Sequence, residues 1–177
     1  MAKLVPSNHP ALHTIAEEIT EEEIENGFVA KLLKDMRSAL KSYSVEGYTA
    51  IAIAAPQIGV SKRVFLIEDQ STERDSLPNM VAINPKIVKV SKKTHVVGEG
   101  CLSIPEFYGE VRRHTNITMR AQDETGRKYE RGAGGLLAQI MQHEYDHLDG
   151  ILFIDRAEKV WTKEQMKEKK LSEAKKE

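Results

Sequence analysis

Residues 142–147 read Gln-His-Glu-Tyr-Asp-His and contain the pattern HExxH. On a helix, His143 and His147 lie one turn apart with the Glu144 carboxylate beside them. Two imidazoles at this spacing are typical of a divalent metal site, in which the glutamate serves as a general base for hydrolysis. The surrounding sequence supports a helix, because Gly150 supplies a stop and apolar residues recur at helical spacing. The apolar residues predicted to form its buried face are Leu136, Leu137, Ile140, Met141 and Leu148.

A catalytic metal at this site needs a third protein ligand and one coordination position that stays open for water. The only cysteine of the chain, Cys101, lies in the sequence Gly-Glu-Gly-Cys-Leu-Ser at residues 98–103. We interpret this segment as a glycine-flanked turn that presents a side chain at a strand end and lets backbone amides approach a ligand. A lone cysteine can also be a small buried hydrophobic residue. Beside an HExxH pattern, a thiolate ligand is the favoured interpretation.

Three segments together resemble peptide deformylase, the metallohydrolase that removes the N-formyl group from nascent polypeptides in bacteria and organelles. They are EGCLS at residues 99–103, QHEYDH at residues 142–147 and AIAIAAPQIG at residues 50–59. The segments occur in the order and spacing of the family, and the resemblance extends through residue 156. It implies a metal-dependent hydrolase that acts on the N-terminal formyl-methionine of nascent peptides.

The resemblance implies that Cys101, His143 and His147 hold one divalent metal ion. One thiolate and two imidazoles are compatible with zinc, iron, cobalt or nickel. For the family, the expected ion in the cell is Fe²⁺, and Zn²⁺, Ni²⁺ or Co²⁺ can substitute for it.

The catalytic groups implied by the resemblance are Glu144, Gln57 and Leu102. Glu144 is expected to accept a proton from water and to return it to the departing amine. The side-chain amide of Gln57 and the backbone N–H of Leu102 are expected to donate to the oxyanion of the tetrahedral intermediate. A structural role for Gln57 in a turn is the alternative.

A pocket for the methionine side chain is also implied. The residues predicted to bind substrate are Ile51, Ala52, Val97, Glu99, Gly100, Leu136 and Ile140. Apolar residues at helical or strand spacing can equally belong to the core. An ion pair between Glu99 and Arg113 is expected near the site, unless the basic stretch of residues 112–114 is exposed.

The chain departs from the family pattern at Ala50 and Ala52, where the first motif normally has glycine. An added methyl group can narrow the substrate groove, and alanine disfavours the positive φ that glycine allows. The alternative functions are therefore a divergent N-acyl hydrolase or a catalytically weakened homologue that binds metal in a narrowed groove. A zinc endopeptidase would share HExxH, but such proteases usually complete the site with glutamate or histidine rather than with a cysteine.

Composition indicates an ordinary globular protein with one domain. The chain has 177 residues, of which 40% are hydrophobic and 30% charged, and a net charge of -1. No apolar run reaches the length of a membrane span, and the N-terminus lacks a secretory signal. A cytoplasmic protein without a membrane segment and without a disulfide is expected.

The predicted fold class is α+β, with small mixed or antiparallel β-sheets packed around the central HExxH helix and with an N-terminal and a C-terminal helix. Thr20 and Glu23 predict a capping box at the start of one long first helix. Its expected buried face comprises Ile24, Phe28, Leu32, Met36 and Leu40. Strands are predicted at residues 63–67, 81–90, 94–97, 111–121 and 128–130, and an exposed loop at residues 68–79.

Residues 1–160 are predicted to form the catalytic domain, and residues 161–177 a charged helical tail. The tail contains six lysines and four glutamates. In bacterial deformylases a C-terminal helix can dock on the ribosome, and lysines here can contact RNA phosphates. The alternative is a solvated helix without a partner.

Overall fold

The structure is a computed structural model that describes residues 2–45, 48–69, 77–166 and 168; for residues 44, 45, 48 and 49 it describes the backbone only. The α-helices are α1 (Glu21–Glu25), α2 (Phe28–Ser42), α3 (Gly135–Leu148) and α4 (Phe153–Arg156), and short 3-10 turns occupy Pro10–Leu12 and Ala55–Ile58. The strands are β1 (Ser44–Val45), β2 (Tyr48–Thr49), β3 (Ala52–Ala54), β4 (Val64–Ile67), β5 (Met80–Val90), β6 (Thr94–Gly100), β7 (Phe107–His114), β8 (Asn116–Gln122), β9 (Lys128–Gly134) and β10 (Ala157–Thr162).

The strands form three antiparallel sheets in the described part of the chain. The largest has the order β3-β4-β5-β8-β9, a second has the order β10-β7-β6, and β1 pairs with β2. Helix α3 carries the HExxH pattern and contacts strands of both larger sheets. The predicted α+β class is confirmed, and of the mixed or antiparallel sheets expected around this helix, the described sheets are antiparallel.

The buried face of α3 packs on the five-stranded sheet. Ala138, Met141 and Leu148 are inaccessible to solvent and form one apolar cluster with Phe65 and Met119. The prediction that Leu136 belongs to this face was wrong, because its side chain is 55% exposed. Helix α3 begins at Gly135, so Leu136 lies in the first turn, at the rim of the cavity described below.

The predicted first helix is two helices. The capping box is present at the start of α1, where Thr20 and Glu23 each accept a hydrogen bond from the backbone N–H of the other. Gly27 then adopts a φ of 84°, a left-handed conformation that ends the helical path before α2 begins at Phe28. The remaining predicted face residues still point inward, because they belong to the continuous second helix. Leu32, Met36 and Leu40 are buried there.

The predicted strand at residues 111–121 is also divided. Residues of β7 end at His114 and those of β8 begin at Asn116, and the two strands belong to different sheets. The chain changes sheet at Thr115, whose backbone N–H donates to the carbonyl of Lys93. A corner of this kind leaves the alternation of apolar residues almost unbroken, so periodicity alone does not reveal it.

The segment around Cys101 is more regular than predicted. Glu99 and Gly100 are the last residues of β6 and pair with Gly109 and Tyr108 of β7. Cys101 follows directly after the strand, so its placement at a strand end is as expected.

The boundary predicted between the domain and the tail lies inside β10. Trp161 and Thr162 pair with Tyr108 and Phe107 of β7 and therefore belong to the sheet. Residues 163–166 and 168 are helical, while residues 167 and 169–177 lie outside the described part of the chain. Of the loop predicted at residues 68–79, residues 68, 69 and 77–79 lack helix and strand, and residues 70–76 lie outside the described part. Among the described residues, no helix has the length and apolar character needed to span a membrane.

Candidate metal centre and active site

Three predicted ligands meet at one point between α3 and the end of β6. The Sγ atom of Cys101 lies 3.2 Å from Nε2 of His147. One ligand atom from each of Cys101, His143 and His147 lies within 4.8 Å of the other two. The helix supplies both imidazoles because of the i, i+4 spacing, and the strand end supplies the thiolate.

These residues fit a divalent metal. Metal–sulfur and metal–nitrogen bonds of about 2.3 and 2.0 Å in a tetrahedron place sulfur and nitrogen about 3.5 Å apart, close to the separation observed here. Nδ1 of His143 lies 3.0 Å from Oε2 of Glu99, so this carboxylate fixes the ring and leaves Nε2 for the metal. Soft sulfur and two imidazole nitrogens are a typical donor set for a transition metal.

The environment of Cys101 favours the thiolate. Burial by itself raises the pKa of the thiol, but the neighbouring His147 and His143 outweigh it and hold the pKa well below its ordinary value. Since the thiolate is the form that binds metal, the site is electrostatically prepared for a cation.

Glu144 stands beside the ligands without joining them. Burial raises the pKa of its carboxyl to about 7, although His143 and His147 act in the opposite direction. Its Oε2 atom is buried and has no hydrogen-bond partner among the described residues. An acceptor of this kind, with a pKa near neutrality, suits a group that takes up a proton and then releases it.

A buried network of charges supports the ligands from behind. Arg113 donates from Nε and Nη2 to the two carboxylate oxygens of Glu99, at 2.8 and 2.9 Å, and from Nη1 to Asp146 at 2.6 Å. Arg156 lies 2.8 Å from the same oxygen of Asp146. The predicted pair of Glu99 and Arg113 is thus present, and the exposed alternative is wrong because Arg113 is only 4% exposed. Glu99 connects this network to His143.

A cavity of about 300 Å³ opens beside the ligand cluster. Its walls come from β3, the end of β6 and one side of α3. The residues predicted to bind substrate that line it are Ile51, Ala52, Glu99, Gly100, Leu136 and Ile140.

Val97 was predicted to line this pocket, and the structure does not place it there. The cavity reaches β6 only at residues 98–100. Val97 instead borders a separate groove over the three-stranded sheet, together with Tyr108 and Trp161. It pairs with Val111 further back along the strand, and sequence spacing does not show where a strand leaves the cavity.

Ala50 and Ala52 line the cavity without closing it. Among the described residues other than glycine, only Asn84 has a positive φ, so both alanines adopt conformations that any residue allows. The positive φ that glycine would allow is therefore not used at either position. Their methyl groups leave the cavity volume of about 300 Å³ open.

Gln57 is 1% exposed and lies in the turn Ala55–Ile58. Its Nε2 atom lies 3.6 Å from Sγ of Cys101, so the amide points toward the ligand cluster. Leu102 lines the same cavity, and its backbone N–H has no partner among the described residues. Both groups predicted to donate to an oxyanion are therefore beside the cluster.

Gln139 was missed from the sequence. It lines the cavity, and its Nε2 donates to the carbonyl oxygen of Gly98 at 2.9 Å, which joins the two walls. The signal was available, because Gln139 precedes His143 by one helical turn and so shares its side of α3. Asp146 and Ser103 lie inside the recognised motifs, but local sequence gives no sign of their partners.

Comparison with known sequences places these observations in one family. A family profile described as polypeptide deformylase matches residues 1–163. Peptide deformylase 2 of Gloeobacter violaceus is 40% identical over 84% of this chain and 79% of its own length. Peptide deformylase of Thermomicrobium roseum is 45% identical over 65% of this chain and 66% of its own length.

Solved structures agree with the sequence comparison. A class I type b peptide deformylase from Acinetobacter baumannii superposes with a TM-score of 0.78 at 29% identity, over 86% of this chain and 96% of that one. A peptide deformylase from Synechococcus elongatus in complex with actinonin gives a TM-score of 0.71 at 34% identity, over 88% of this chain and 78% of that one. The family profile covers all the residues of this site, and the relatives share this level of sequence identity with this chain. The chain therefore belongs to the peptide deformylase family.

Proposed function

We propose a role for each residue of this site in the reaction of the family. The chain is a metal-dependent hydrolase that removes the N-formyl group from the N-terminal methionine of nascent polypeptides. Cys101, His143 and His147 hold the metal, Glu144 transfers the proton, and Gln57 and Leu102 stabilise the oxyanion. The observation that carries these roles is the buried Oε2 of Glu144, which has no partner among the described residues and lies beside three convergent ligands.

Glu144 acts as base and then as acid. A divalent metal held by Cys101, His143 and His147 would lower the pKa of water toward neutrality and polarise a formyl oxygen. The carboxylate of Glu144 accepts one proton from the attacking water as its oxygen bonds to the formyl carbon. Glu144 then gives this proton to the nitrogen as the carbon–nitrogen bond breaks, so that formic acid, which ionises to formate, and a free amine leave. A pKa of about 7 suits both steps, because the group can gain and lose a proton near neutral pH.

Gln57 and Leu102 act on the negative charge that develops on the formyl oxygen. Two N–H donors that are already in place stabilise this charge without a reorganisation of solvent. Burial of Gln57 strengthens the effect, because water does not compete for its amide.

The cavity beside the cluster receives the methionine side chain. Ile51, Leu136 and Ile140 give it apolar walls, and its volume of about 300 Å³ accommodates an unbranched thioether. Leu136 is exposed on its own and gains an apolar neighbour when substrate binds.

The test is release of formate from formyl-Met-Ala-Ser by the metal-loaded protein. Glu144→Ala is the matched control, since it keeps the three ligands and lacks the base. We expect turnover by the wild type and a loss of at least about 100-fold in the variant at equal metal content. Equal rates would refute the role of Glu144. No turnover by a folded, fully metallated wild type would instead favour the weakened homologue, and cleavage of internal peptide bonds would favour an endopeptidase.

For the metal, we propose Fe²⁺ in the cell, with Zn²⁺, Ni²⁺ or Co²⁺ able to substitute. A ferrous ion and a thiolate ligand are both open to oxidation, so activity of the iron form should decline in air while that of the nickel form persists. Equal stability of the two forms in air would contradict the proposal.

We also propose that the protein works in the cytoplasm and that its tail docks on the ribosome. A reducing compartment preserves the thiolate of Cys101, and the lysines of the tail suit RNA phosphates. Because β10 ends at Thr162 and the backbone N–H of Lys163 donates to Glu106, truncation after Lys163 leaves the sheet intact. We expect the truncated protein to lose co-sedimentation with ribosomes and to keep its rate on formyl-Met-Ala-Ser; unchanged co-sedimentation would dismiss the docking role.

A further inference from the structure

We propose that Ser103 is a positioning residue that holds the Gln57 amide in the orientation needed to donate to the oxyanion. The inference rests on the proposed role of Gln57 and adds the residue that makes this role possible. It begins from a hydrogen bond between side chains 46 positions apart, in which Nε2 of Gln57 donates to Oγ of Ser103 at 3.2 Å.

The amide of Gln57 has a distinct contact at each end. Its Oε1 accepts from the backbone N–H of Ala54 at 2.8 Å, which fixes which end of the amide is oxygen and which is nitrogen. Its Nε2 carries two N–H groups. One is directed to Ser103, and the other faces Cys101, whose Sγ lies 3.6 Å away. The second N–H is therefore the one available to a substrate oxygen beside the metal ligands.

The hydrogen bond from Ala54 does not by itself fix the direction of the second N–H of Gln57. The terminal torsion of glutamine is broad, so an amide held only through its oxygen can still turn its NH₂ group. A second hydrogen bond from nitrogen defines the plane of the amide. Donors stabilise an oxyanion best when they are in position before the charge develops, and the contact with Ser103 supplies this condition.

Ser103 is suited to a specific contact rather than to general packing. It is 6% exposed, and among the described residues its hydroxyl is hydrogen-bonded to Gln57. It also lies on the same short segment as Cys101 and Leu102. Residues 101–103 thus contribute a metal ligand, a backbone donor and the hydroxyl that orients the other donor, so the two oxyanion donors are held relative to one another.

A double-mutant cycle tests the inference. The four proteins are the wild type, Ser103→Ala, Gln57→Ala and the double variant, each with its metal content and Tm measured. Gln57→Ala should lower kcat by about 100-fold, as for removal of one oxyanion donor. Ser103→Ala should lower kcat about 10-fold with KM and metal content unchanged, because a misaligned donor loses part of its effect. In the Gln57→Ala background, Ser103→Ala should change kcat less than about twofold, since nothing remains for Ser103 to orient.

Two further measurements separate positioning from folding. Ser103→Thr keeps a hydroxyl and should restore most of kcat. In the zinc form, the side-chain NH₂ signals of Gln57, identified by their absence in Gln57→Ala, should shift in Ser103→Ala and stay near their wild-type positions in Ser103→Thr. This NMR measurement does not depend on turnover, so it reports the orientation of Gln57 even in variants with low kcat.

The outcomes distinguish the two levels of the proposal. An equal loss of kcat from Ser103→Ala in both backgrounds, or unchanged Gln57 signals, would overturn the positioning role and leave Gln57 as a donor. Full activity of Gln57→Ala would overturn the oxyanion role itself, and the role of Ser103 would fall with it.

Discussion

Replacement of Arg113 by methionine should destabilise the protein far more than the same change at its neighbour Arg112. The two arginines are adjacent in β7 and so point to opposite faces of the sheet. Arg113 is 4% exposed and bonds two carboxylates whose side chains are also almost inaccessible, Glu99 at 2% and Asp146 at 7%. Arg112 bonds Glu158 at 2.7 Å, but these side chains are 53% and 43% exposed.

The expected magnitudes follow from this difference in burial. Removing one partner of a buried ion pair leaves a buried charge without compensation and costs about 3–5 kcal/mol. An exposed pair contributes about 0–1 kcal/mol, because water and salt screen it. For a domain of this size, each kcal/mol corresponds to about 2–4 °C in Tm, so Arg113→Met should lower Tm by about 6–20 °C and Arg112→Met by less than about 4 °C.

The assay is thermal unfolding of both variants at the same metal saturation, because a bound metal stabilises the folded state by itself. Metal affinity is a second readout. Glu99 orients His143, so Arg113→Met should also weaken metal binding by about 10- to 100-fold, while Arg112→Met should leave it unchanged. Equal Tm values for the two variants would refute the argument, since burial of the network would then contribute nothing.

A double variant checks that the cost comes from the unpaired charge. In the Glu99→Gln background, position 99 carries no charge. Arg113→Met then deprives only the Asp146 carboxylate of the Arg113 guanidinium. The loss of stability should therefore be smaller than the sum of the two single losses. Strict additivity would mean that Glu99 and Arg113 do not stabilise one another.

Three other changes test separate features of the fold and the site. Gly150→Ala should lower the free energy of unfolding by at least about 2 kcal/mol, because Gly150 has a φ of 71° and an added Cβ would lie 2.6 Å from the backbone of the N-terminal segment. Gly132→Ala is the control and should change Tm little, because an added Cβ there would meet nothing within 4 Å. Hydrogen bonds from Lys62 and from the neighbouring backbone hold the pKa of Glu23 below its ordinary value of 4.5. The contribution of Glu23 to the free energy of unfolding is therefore present above pH 4.5 and is lost as the pH falls through the lower pKa of the folded state. The Tm values of wild type and Glu23→Gln should therefore differ at pH 7 and converge as the pH falls through the folded-state pKa of Glu23, which lies below 4.5. Removal of the metal with a chelator should lower Tm, and restoring the metal should recover it; an unchanged Tm would mean that no metal is bound to the folded state.

The chemistry of the site could be predicted from the sequence because its main signals are local. His143, Glu144 and His147 fall on one side of any helix that contains them, whatever the rest of the chain does. Cys101 is the only cysteine, which left a single thiolate to complete the donor set. The α+β class also followed from the order of the predicted elements, because runs of strands with helices at either side differ from the strict alternation of strand and helix in a doubly wound sheet.

Other features depend on which distant segments of the chain pack together. The periodicity of apolar residues in the sequence does not show this. Residues 111–121 read as one strand, yet the chain turns at Thr115 from one sheet into another. Val97 has the same character as the pocket residues but lies beyond the end of the cavity. The partners of Ser103 and of Asp146 are 46 and 33 positions away. Only tertiary packing brings a hydroxyl to Gln57 and a guanidinium to Asp146, because the free energy of these contacts arises when the sheets close around α3 and exclude water.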